Sequence, residues 1–326
     1  NNKTVLITGA YGMLASYICL FLVFLRRKGI NVKILAVGRN YDKALNVFGD
    51  LIECGDINFI NWNLKDNNSF DLAADFIIHA AGLANPRFYT TNPVEVLEPN
   101  IIGTYNLLNI AKGKCESFLF FSSGDVYGKV DNPEMITEDT MGRLDPLDNH
   151  SCYGESKRMA ETMCMSYYRE YNVPIKIARI GHTYSPTMDI ENDPRVFASF
   201  MKCVVNSEDI VINSDGLACR PFCYIADAVA AYLLILLNGA NGEAYNVCNN
   251  KEFLSIRELA EIMVRLDSKK ELNVIYKKRE INDKYIECKV NKDNKPLENK
   301  LLELGWNCQY TTFDGMKKVY DFIINN

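Results

Sequence analysis

The chain is poor in the residues that mark several common classes of function. It holds three histidines in 326 residues (His79, His150 and His182) and no Cys-x-x-Cys pair. Cys219 and Cys223 are four apart, but no histidine stands at zinc-ligand spacing from them, so no metal site is expected. Positive charge is not in excess: 36 Lys and Arg stand against 41 Asp and Glu, a net charge of −5. Nucleic-acid binding rests on neutralising phosphates, so no nucleic-acid partner is expected, while a local basic site for a phosphorylated small molecule stays open. Long apolar runs are missing too. The run from Tyr17 to Leu25 ends at Arg26 and Arg27, well short of the about 20 residues a spanning helix needs. Asn1-Asn2-Lys3 leads directly into a strand-like run, so the expectation is a soluble, cytoplasmic chain with no targeting segment and no membrane partner.

Cysteine is plentiful, at 11, but the count is odd and the positions are scattered. Cys152, Cys164, Cys203, Cys219, Cys223 and Cys248 fall in or beside apolar runs, which reads as free buried thiols in a reducing compartment. Hydrophobic residues at 48% and charged residues at 24% exclude a disordered or collagen-like chain.

The first half alternates apolar β-branched runs with longer helical patterns. Strands are expected at 4–8, 32–37, 59–62, 76–79, 118–122 and 175–180, with helices at 13–28, 94–112 and 153–171. Fully apolar strands separated by helices imply a parallel sheet covered on both faces, an α/β chain. After about residue 180 turn formers and charges crowd 185–195. Helical patterns follow at 196–205, 227–237, 255–266 and 313–324, and strand-like runs at 210–212 and 244–247. Two domains are expected, 1–180 and a smaller α/β lobe at 181–326, with the chain returning to the main sheet near 223–248.

Thr8-Gly9-Ala10-Tyr11-Gly12-Met13-Leu14-Ala15 joins the first strand to the first helix. Glycines there let the backbone approach a pyrophosphate, and the helix N-terminus offers free N–H groups. The spacing is Gly-x-x-Gly-x-x-Ala, so a methyl group stands at the position that serves close helix–strand packing. At the end of the second strand an acid holds ribose hydroxyls in NAD sites. Here the stretch is Val37-Gly38-Arg39-Asn40, with no acid before Asp42. Arg39 meets a 2′-phosphate, stacks on adenine, or is a solvated loop arginine, so this stretch by itself leans to NADP, against the NAD that the family resemblance given below implies.

Ser122-Ser123-Gly124-Asp125-Val126-Tyr127-Gly128 follows a buried strand, and Tyr153-Gly154-Glu155-Ser156-Lys157 opens a helix about 30 residues later. Tyr153 and Lys157, four apart, share one helix face. A lysine ammonium favours the phenolate and lowers the phenol from its free value of about 10. Such a tyrosine can take a proton from an alcohol while hydride leaves the same carbon. A nearby serine hydroxyl can hold that oxygen.

With these motifs the chain resembles the extended short-chain dehydrogenase/reductases, specifically the NAD-dependent nucleotide-sugar epimerase/dehydratase family. The resemblance runs through TGAYGML, the strand Asp75–Gly82, Asn100-Ile101-Ile102-Gly103-Thr104, FFSSGDVYG, YGESK and Asp215-Gly216. It continues through Arg220-Pro221-Phe222-Cys223-Tyr224-Ile225-Ala226-Asp227 to Leu304-Gly305-Trp306. It implies a Rossmann-like doubly wound parallel sheet with a smaller C-terminal nucleotide-sugar lobe.

By the resemblance, Ser123, Asp125, Tyr153 and Lys157 are catalytic. The cofactor surface takes Gly9, Tyr11, Gly12, Met13 and Leu14 from the first turn, and Arg39, Asn63 and Leu64 from the next two strand ends. Ala80, Ala81, Gly82, Asn100, Ser122, Ile180 and His182 complete it together with Tyr153 and Lys157. The substrate, a nucleotide-diphosphate sugar, meets Ser123, Asp125, His182, Arg195, Val196 and Arg220, the two arginines forming a clamp on the diphosphate. The implied chemistry is oxidation at sugar carbon 4, a transient keto-sugar, and return of the hydride, giving epimerisation or dehydration. Asp125 stands where dehydratases and decarboxylases carry an acid, but is one methylene shorter than the usual Glu. Ile180–Val196 looks most like the decarboxylase branch. Thr187 stands where that branch carries Arg, and no Arg-Lys-Pro occurs near Asn294-Lys295-Pro296. The rival readings are decarboxylation, an NADPH-dependent keto-sugar reductase and a non-enzymatic dinucleotide sensor. His79 reads as structural. A homodimer through the helices at 101–112 and 153–170 is implied, with Met159, Met163 and Tyr167 at helical spacing.

Overall fold

The computed structural model describes residues 2–66, 72–130, 136–277 and 300–326; Asn294-Lys295-Pro296 lies outside the described residues. Six apolar segments form the strands β1 (Lys3–Thr8), β2 (Val32–Gly38), β3 (Asn58–Asn61), β4 (Phe76–His79), β5 (Ser117–Ser123) and β6 (Ile175–Ile180). With Glu243–Val247 they make a seven-stranded sheet in the order Glu243–Val247, β6, β5, β4, β1, β2, β3. The pairs β1–β2, β1–β4, β2–β3, β4–β5 and β5–β6 are all parallel. The chain winds outward from β1 in one direction and restarts at β4 in the other. That reversal leaves a crevice at the carboxyl ends of β1 and β4, where doubly wound sheets take their ligands.

Every residue of β5 is buried, as expected for a strand covered on both faces. Phe118 and Phe120 are fully buried with Leu6, Ile77, Leu107, Ala160 and Ile175, each ring contributing on the order of 3 kcal/mol by burial. The helix Met13–Arg27 turns Ile18, Cys19, Leu22 and Val23 inward. The helix Ser151–Tyr171 ends at Asn172, which takes the left-handed conformation at φ 55°.

The expected helix at 94–112 is three pieces: Pro93–Glu98, a wide π-helical turn at Pro99–Gly103, and Thr104–Ala111. Pro99 has no N–H to donate to the preceding turn, so the ladder widens there.

The chain divides into two compact units. The first comprises Asn1–Lys129, Met141–Ile180 and Val229–Asn246, and the second Val130–Thr140, Gly181–Ala228 and Val247–Asn326. The second unit has short strands: Thr183–Tyr184 parallel to Cys223–Tyr224, Cys219–Arg220 antiparallel to Leu254–Ser255, and Ile210–Ile212 parallel to Val274–Tyr276. Its helix Ile256–Val264 starts in a full capping box of Ser255 and Glu258. The Asp227 carboxylate accepts from the backbone N–H groups of Gln309 and Tyr310, both at 3.0 Å, and Trp306 Nε1 donates to Asp227 O at 3.0 Å. Two of the late sequence motifs therefore serve each other structurally. Ten described cysteines are free. Among the described residues no helix is long and apolar enough to cross a membrane, and no group of three metal-capable side chains occurs.

Candidate active site

In the first unit the glycine turn closes directly on the end of β4. Gly9 has φ +63°, and a Cβ on it would stand 2.8 Å from Ala81 Cα and 3.0 Å from Ala80 O. Only glycine fits both that conformation and that approach. Gly12 caps the helix Met13–Arg27 without a side-chain hydrogen bond, and the first turn, with Met13 and Leu14, holds no acid. Its N–H groups are open to an anion. The Tyr11 ring leans on Phe59 with centroids 6.4 Å apart.

A buried hydrogen-bond chain fixes the neighbouring loop. His79 is fully buried, and burial, followed by the Lys157 charge, pulls its pKa down to about 3, so it is neutral. Its Nε2 faces Pro99 O at 3.2 Å and Thr104 Oγ1 at 3.1 Å, and its Nδ1 faces Thr8 Oγ1 at 2.8 Å. A carbonyl only accepts, so Nε2 carries the proton and Thr8 donates to Nδ1. Thr8 Oγ1 in turn accepts from the Ala81 N–H at 3.3 Å. His79 is structural, and what it positions is the backbone at Ala81.

Asn100 is fully buried. Its Nδ2 donates to Val96 O at 2.9 Å and Ser156 Oγ at 3.0 Å, while its Oδ1 has no partner among the described residues. A Cβ on Gly82 would lie 3.2 Å from that orphan oxygen and 3.6 Å from Lys157 Nζ. The missing side chain of Gly82 thus leaves space beside an acceptor and a cation.

Tyr153 and Lys157 sit one turn apart on the helix Ser151–Tyr171, both buried. Lys157 Nζ donates to Phe121 O at 2.7 Å and lies 5.7 Å from the Tyr153 ring centre. Burial pushes its pKa down to about 7, against the smaller upward pulls of Glu161, Cys164 and Asp125. The sequence argument takes this lysine as fully charged; in the fold it titrates near neutrality.

Ser123 lies at the edge of burial and its Oγ accepts from the Asp125 N–H at 3.2 Å, capping the short turn Gly124–Tyr127. The Asp125 side chain is exposed. The buried Ser122 hydroxyl donates to Glu161 at 2.6 Å, so its side chain is committed within the protein. Ile180 pairs in register with Ser123. Leu64 is buried at the exit of β3 and packs toward Gly103, while Asn63 O accepts from Asp66 N at 2.9 Å. Arg39 is exposed, with Glu95 Oε2 3.9 Å from its Nη1.

Three supporting groups escape a motif reading. Tyr89 stacks on Tyr153, rings 5.0 Å apart and 12° from parallel. Glu161 binds Arg179 through two bonds, at 2.8 and 3.0 Å, and Arg179 reaches Tyr127 Oη at 3.1 Å. Glu161 sits four residues after Lys157 on the face shared with Tyr153, so helical spacing was its available signal. Tyr89 is 64 residues from Tyr153 and has no such signal.

In the second unit Arg220 and Arg195 both act on His182. The His182 ring is half-buried, and burial, then Arg220, then Arg195, bring its pKa down to about 3. Arg195 is held by Asp193 in a bidentate pair. Val196 opens the helix Val196–Val205. Arg220 Nη1 donates to Cys219 O at 2.7 Å, and no carboxylate pairs with it among the described residues. Thr187 is exposed, its hydroxyl 3.2 Å from that of Ser185.

Comparison with known proteins finds relatives in sequence and in fold. UDP-glucuronic acid decarboxylase 6 of Arabidopsis thaliana is 38% identical over 193 residues, 59% of this chain and 55% of that protein. The chain spans about half the length of the curated relatives it matches. UDP-glucose 4-epimerase of Thermotoga maritima, solved with UDP-glucose, superposes with a TM-score of 0.82 at 20% identity over 99% of both chains. UDP-glucuronic acid 4-epimerase of Bacillus cereus, solved with UDP-glucuronic acid and NAD, superposes at 0.78 with 22% identity, again over 99% of both. The epimerase description, NAD dependent epimerase/dehydratase family, matches residues 5–248, from within β1 past the last strand of the sheet. A match of that extent, over the sheet and the segments that carry Gly9, Ser123, Tyr153 and Lys157, means that this chain belongs to the NAD dependent epimerase/dehydratase family.

Proposed function

We propose that the chain is an enzyme that epimerises or dehydrates a nucleoside-diphosphate sugar by way of a transient ketone at carbon 4. The observation that carries this reading is the buried Tyr153–Lys157 pair beside Gly82 and the orphan Asn100 Oδ1. A nicotinamide dinucleotide of the NAD type fits the residues present. Gly9 and the uncapped helix N-terminus at Gly12 would take its pyrophosphate, and Gly82, Asn100 and Lys157 would line its nicotinamide-ribose half. When bound, it supplies the acceptor and donor of hydride.

The protein's part is proton management and orientation. Tyr153 Oη takes the proton of the sugar hydroxyl as that carbon is oxidised, and returns it on reduction. Ser123 holds the oxygen. Lys157 favours the phenolate while it is charged. Asp125, exposed on the turn after β5, is a second acid/base for a proton made labile by the ketone. The first unit is the dinucleotide-binding part, and the second, with His182, Arg195, Val196 and Arg220, is the nucleotide-sugar part. The names of the similar proteins favour uridine as the base. Cytoplasmic location and a homodimer complete the proposal; exposed Ile102, Tyr105 and Met159 on the two expected helices support the dimer.

Decarboxylation is the second reading, favoured by the names of similar curated relatives. Thr187, in place of an arginine, weighs against it. The test is incubation of the purified protein with UDP-glucose, UDP-glucuronic acid and UDP-N-acetylglucosamine, followed by product analysis. A C4 epimer or a 4-keto-6-deoxy sugar, with no net change at 340 nm, supports the proposal. A pentose product with release of carbon dioxide selects decarboxylation, and stoichiometric consumption of reduced cofactor overturns both.

A further inference from the structure

We propose that Tyr89 is a positioning residue for the reaction: a flat plate that holds the Tyr153 ring and so fixes where its Oη meets the sugar hydroxyl. This rests on the acid/base reading of Tyr153 above. The phenolic oxygen is the far end of a side chain that turns about its Cα–Cβ and Cβ–Cγ bonds. Misplacing a reacting group by about 1 Å can lower a rate by about 10²-fold. The helix that carries Tyr153 fixes only its Cα, so the ring needs a second restraint.

Tyr89 supplies it. The two rings lie in an offset, near-parallel stack, centroids 5.0 Å apart and planes 12° from parallel. Aromatic pairs favour that arrangement, and it opposes tilting of either plane. Tyr89, Val96 and Tyr153 are the buried members of a small apolar cluster, with Leu83, Phe88 and Cys152 packed against it. This cluster is separate from the core that holds Phe118 and Phe120. A ring buried there adds little to the main core, and what it covers is the residue that carries the proton.

The plate is itself held. Tyr89 Oη donates to Ala84 O at 3.2 Å, on the loop that follows β4 and carries Gly82. Its backbone N–H donates to Pro86 O at 3.1 Å, and its carbonyl accepts from Cys152 Sγ at 3.8 Å. Cys152 immediately precedes Tyr153, so this contact lays the two segments side by side. Pro86, just before the helix Arg87–Thr91, and Pro93, which opens Pro93–Glu98, fix the backbone on either side of Tyr89. Val96 belongs to the second of these helices, and its carbonyl accepts from Asn100 Nδ2. The stack thus joins the loop of Gly82 to the helix that carries Tyr153 and Lys157.

The experiment is steady-state kinetics of the purified chain with NAD⁺ on UDP-glucose, UDP-glucuronic acid and UDP-N-acetylglucosamine, with an NAD⁺ titration and a melting curve for each variant. Tyr89→Leu removes the flat face; Tyr89→Met, whose flexible side chain fills irregular space, serves if leucine does not fold. The expected result is a kcat lower by at least about tenfold, with KM and NAD⁺ affinity within about threefold of wild type. Tyr89→Phe keeps the stack and loses the bond to Ala84, and should bring kcat back to within about threefold. In a Tyr153→Phe background no oxygen is left to place, so Tyr89→Leu should lower the residual rate by less than about twofold. A loss of the same size in both backgrounds would make Tyr89 a purely structural residue and overturn the proposal. An unchanged kcat in Tyr89→Leu, a loss confined to KM, or a loss in Tyr89→Phe as deep as in Tyr89→Leu would overturn it too. Each of those results leaves the acid/base reading of Tyr153 intact. Full activity in Tyr153→Phe, or a wild type that turns over none of the three sugars, removes that reading and this one together.

Discussion

In the first unit Lys157 is buried with its nitrogen on a backbone carbonyl, and the nearest carboxylate on its own helix face, Glu161, is already bound by Arg179. In the second unit Arg195 carries its counter-ion two residues before it, while Arg220 has none among the described residues. A buried cation short of a counter-ion has a protonation state that small changes can move. A half-exposed guanidinium keeps its charge and is suited to holding an anion. Substitutions in the two units should therefore fail differently: the first should lose turnover, the second affinity.

The largest effect is expected at Tyr153. Replacement by Phe keeps the ring that stacks on Tyr89 and removes the oxygen, so turnover should fall by about 10²–10⁴. Dinucleotide affinity and melting temperature should stay near wild type. Steady-state kinetics with a parallel binding titration check this, and near-normal turnover would remove Tyr153 from the chemistry.

The next effect is on stability. His79 is neutral in the fold, with a pKa near 3 against an ordinary 6.5. Between those values the unfolded chain binds more protons than the folded one, so stability falls as the pH drops below 6.5. From pH 6.5 to 4.5 the loss from His79 alone should be about 2–3 kcal/mol. His79→Gln should flatten that dependence, read from urea midpoints at the two pH values. An unchanged slope would mean that another group carries it.

Much of the first unit is legible because its signals are local. Runs such as Thr4–Thr8 and Phe118–Ser122 are apolar enough to be strands of a covered sheet, and the four-residue step from Tyr153 to Lys157 needs no tertiary knowledge. What escaped depends on distant packing. The titration of Lys157 near pH 7 reflects its burial against β5, and the Tyr89 stack joins residues 64 apart. The break at Pro99 interrupts an apolar pattern that runs on through it at helical spacing. The second unit is harder to read because several of its strands have only two or three residues, too few to show a period.

The smallest effects separate the two arginines. Arg220→Ala removes a charge with no carboxylate partner among the described residues, so affinity for a nucleoside diphosphate should drop about 10- to 100-fold, the range of one lost charge-assisted hydrogen bond or two. Arg195→Ala removes a charge that Asp193 already neutralises, and leaves that carboxylate, itself buried, unpaired. Its cost should appear as lower stability, with affinity changed less than about threefold once the protein is folded. Titration with UDP at two salt concentrations reads the difference, because only the group that meets phosphate should make binding more salt-sensitive. If Arg195→Ala proves as damaging to affinity as Arg220→Ala, the Asp193 pair must open when ligand arrives. The second unit would then store an arginine in a salt bridge until substrate takes it, and the contrast between its two cations would be one of timing rather than of role.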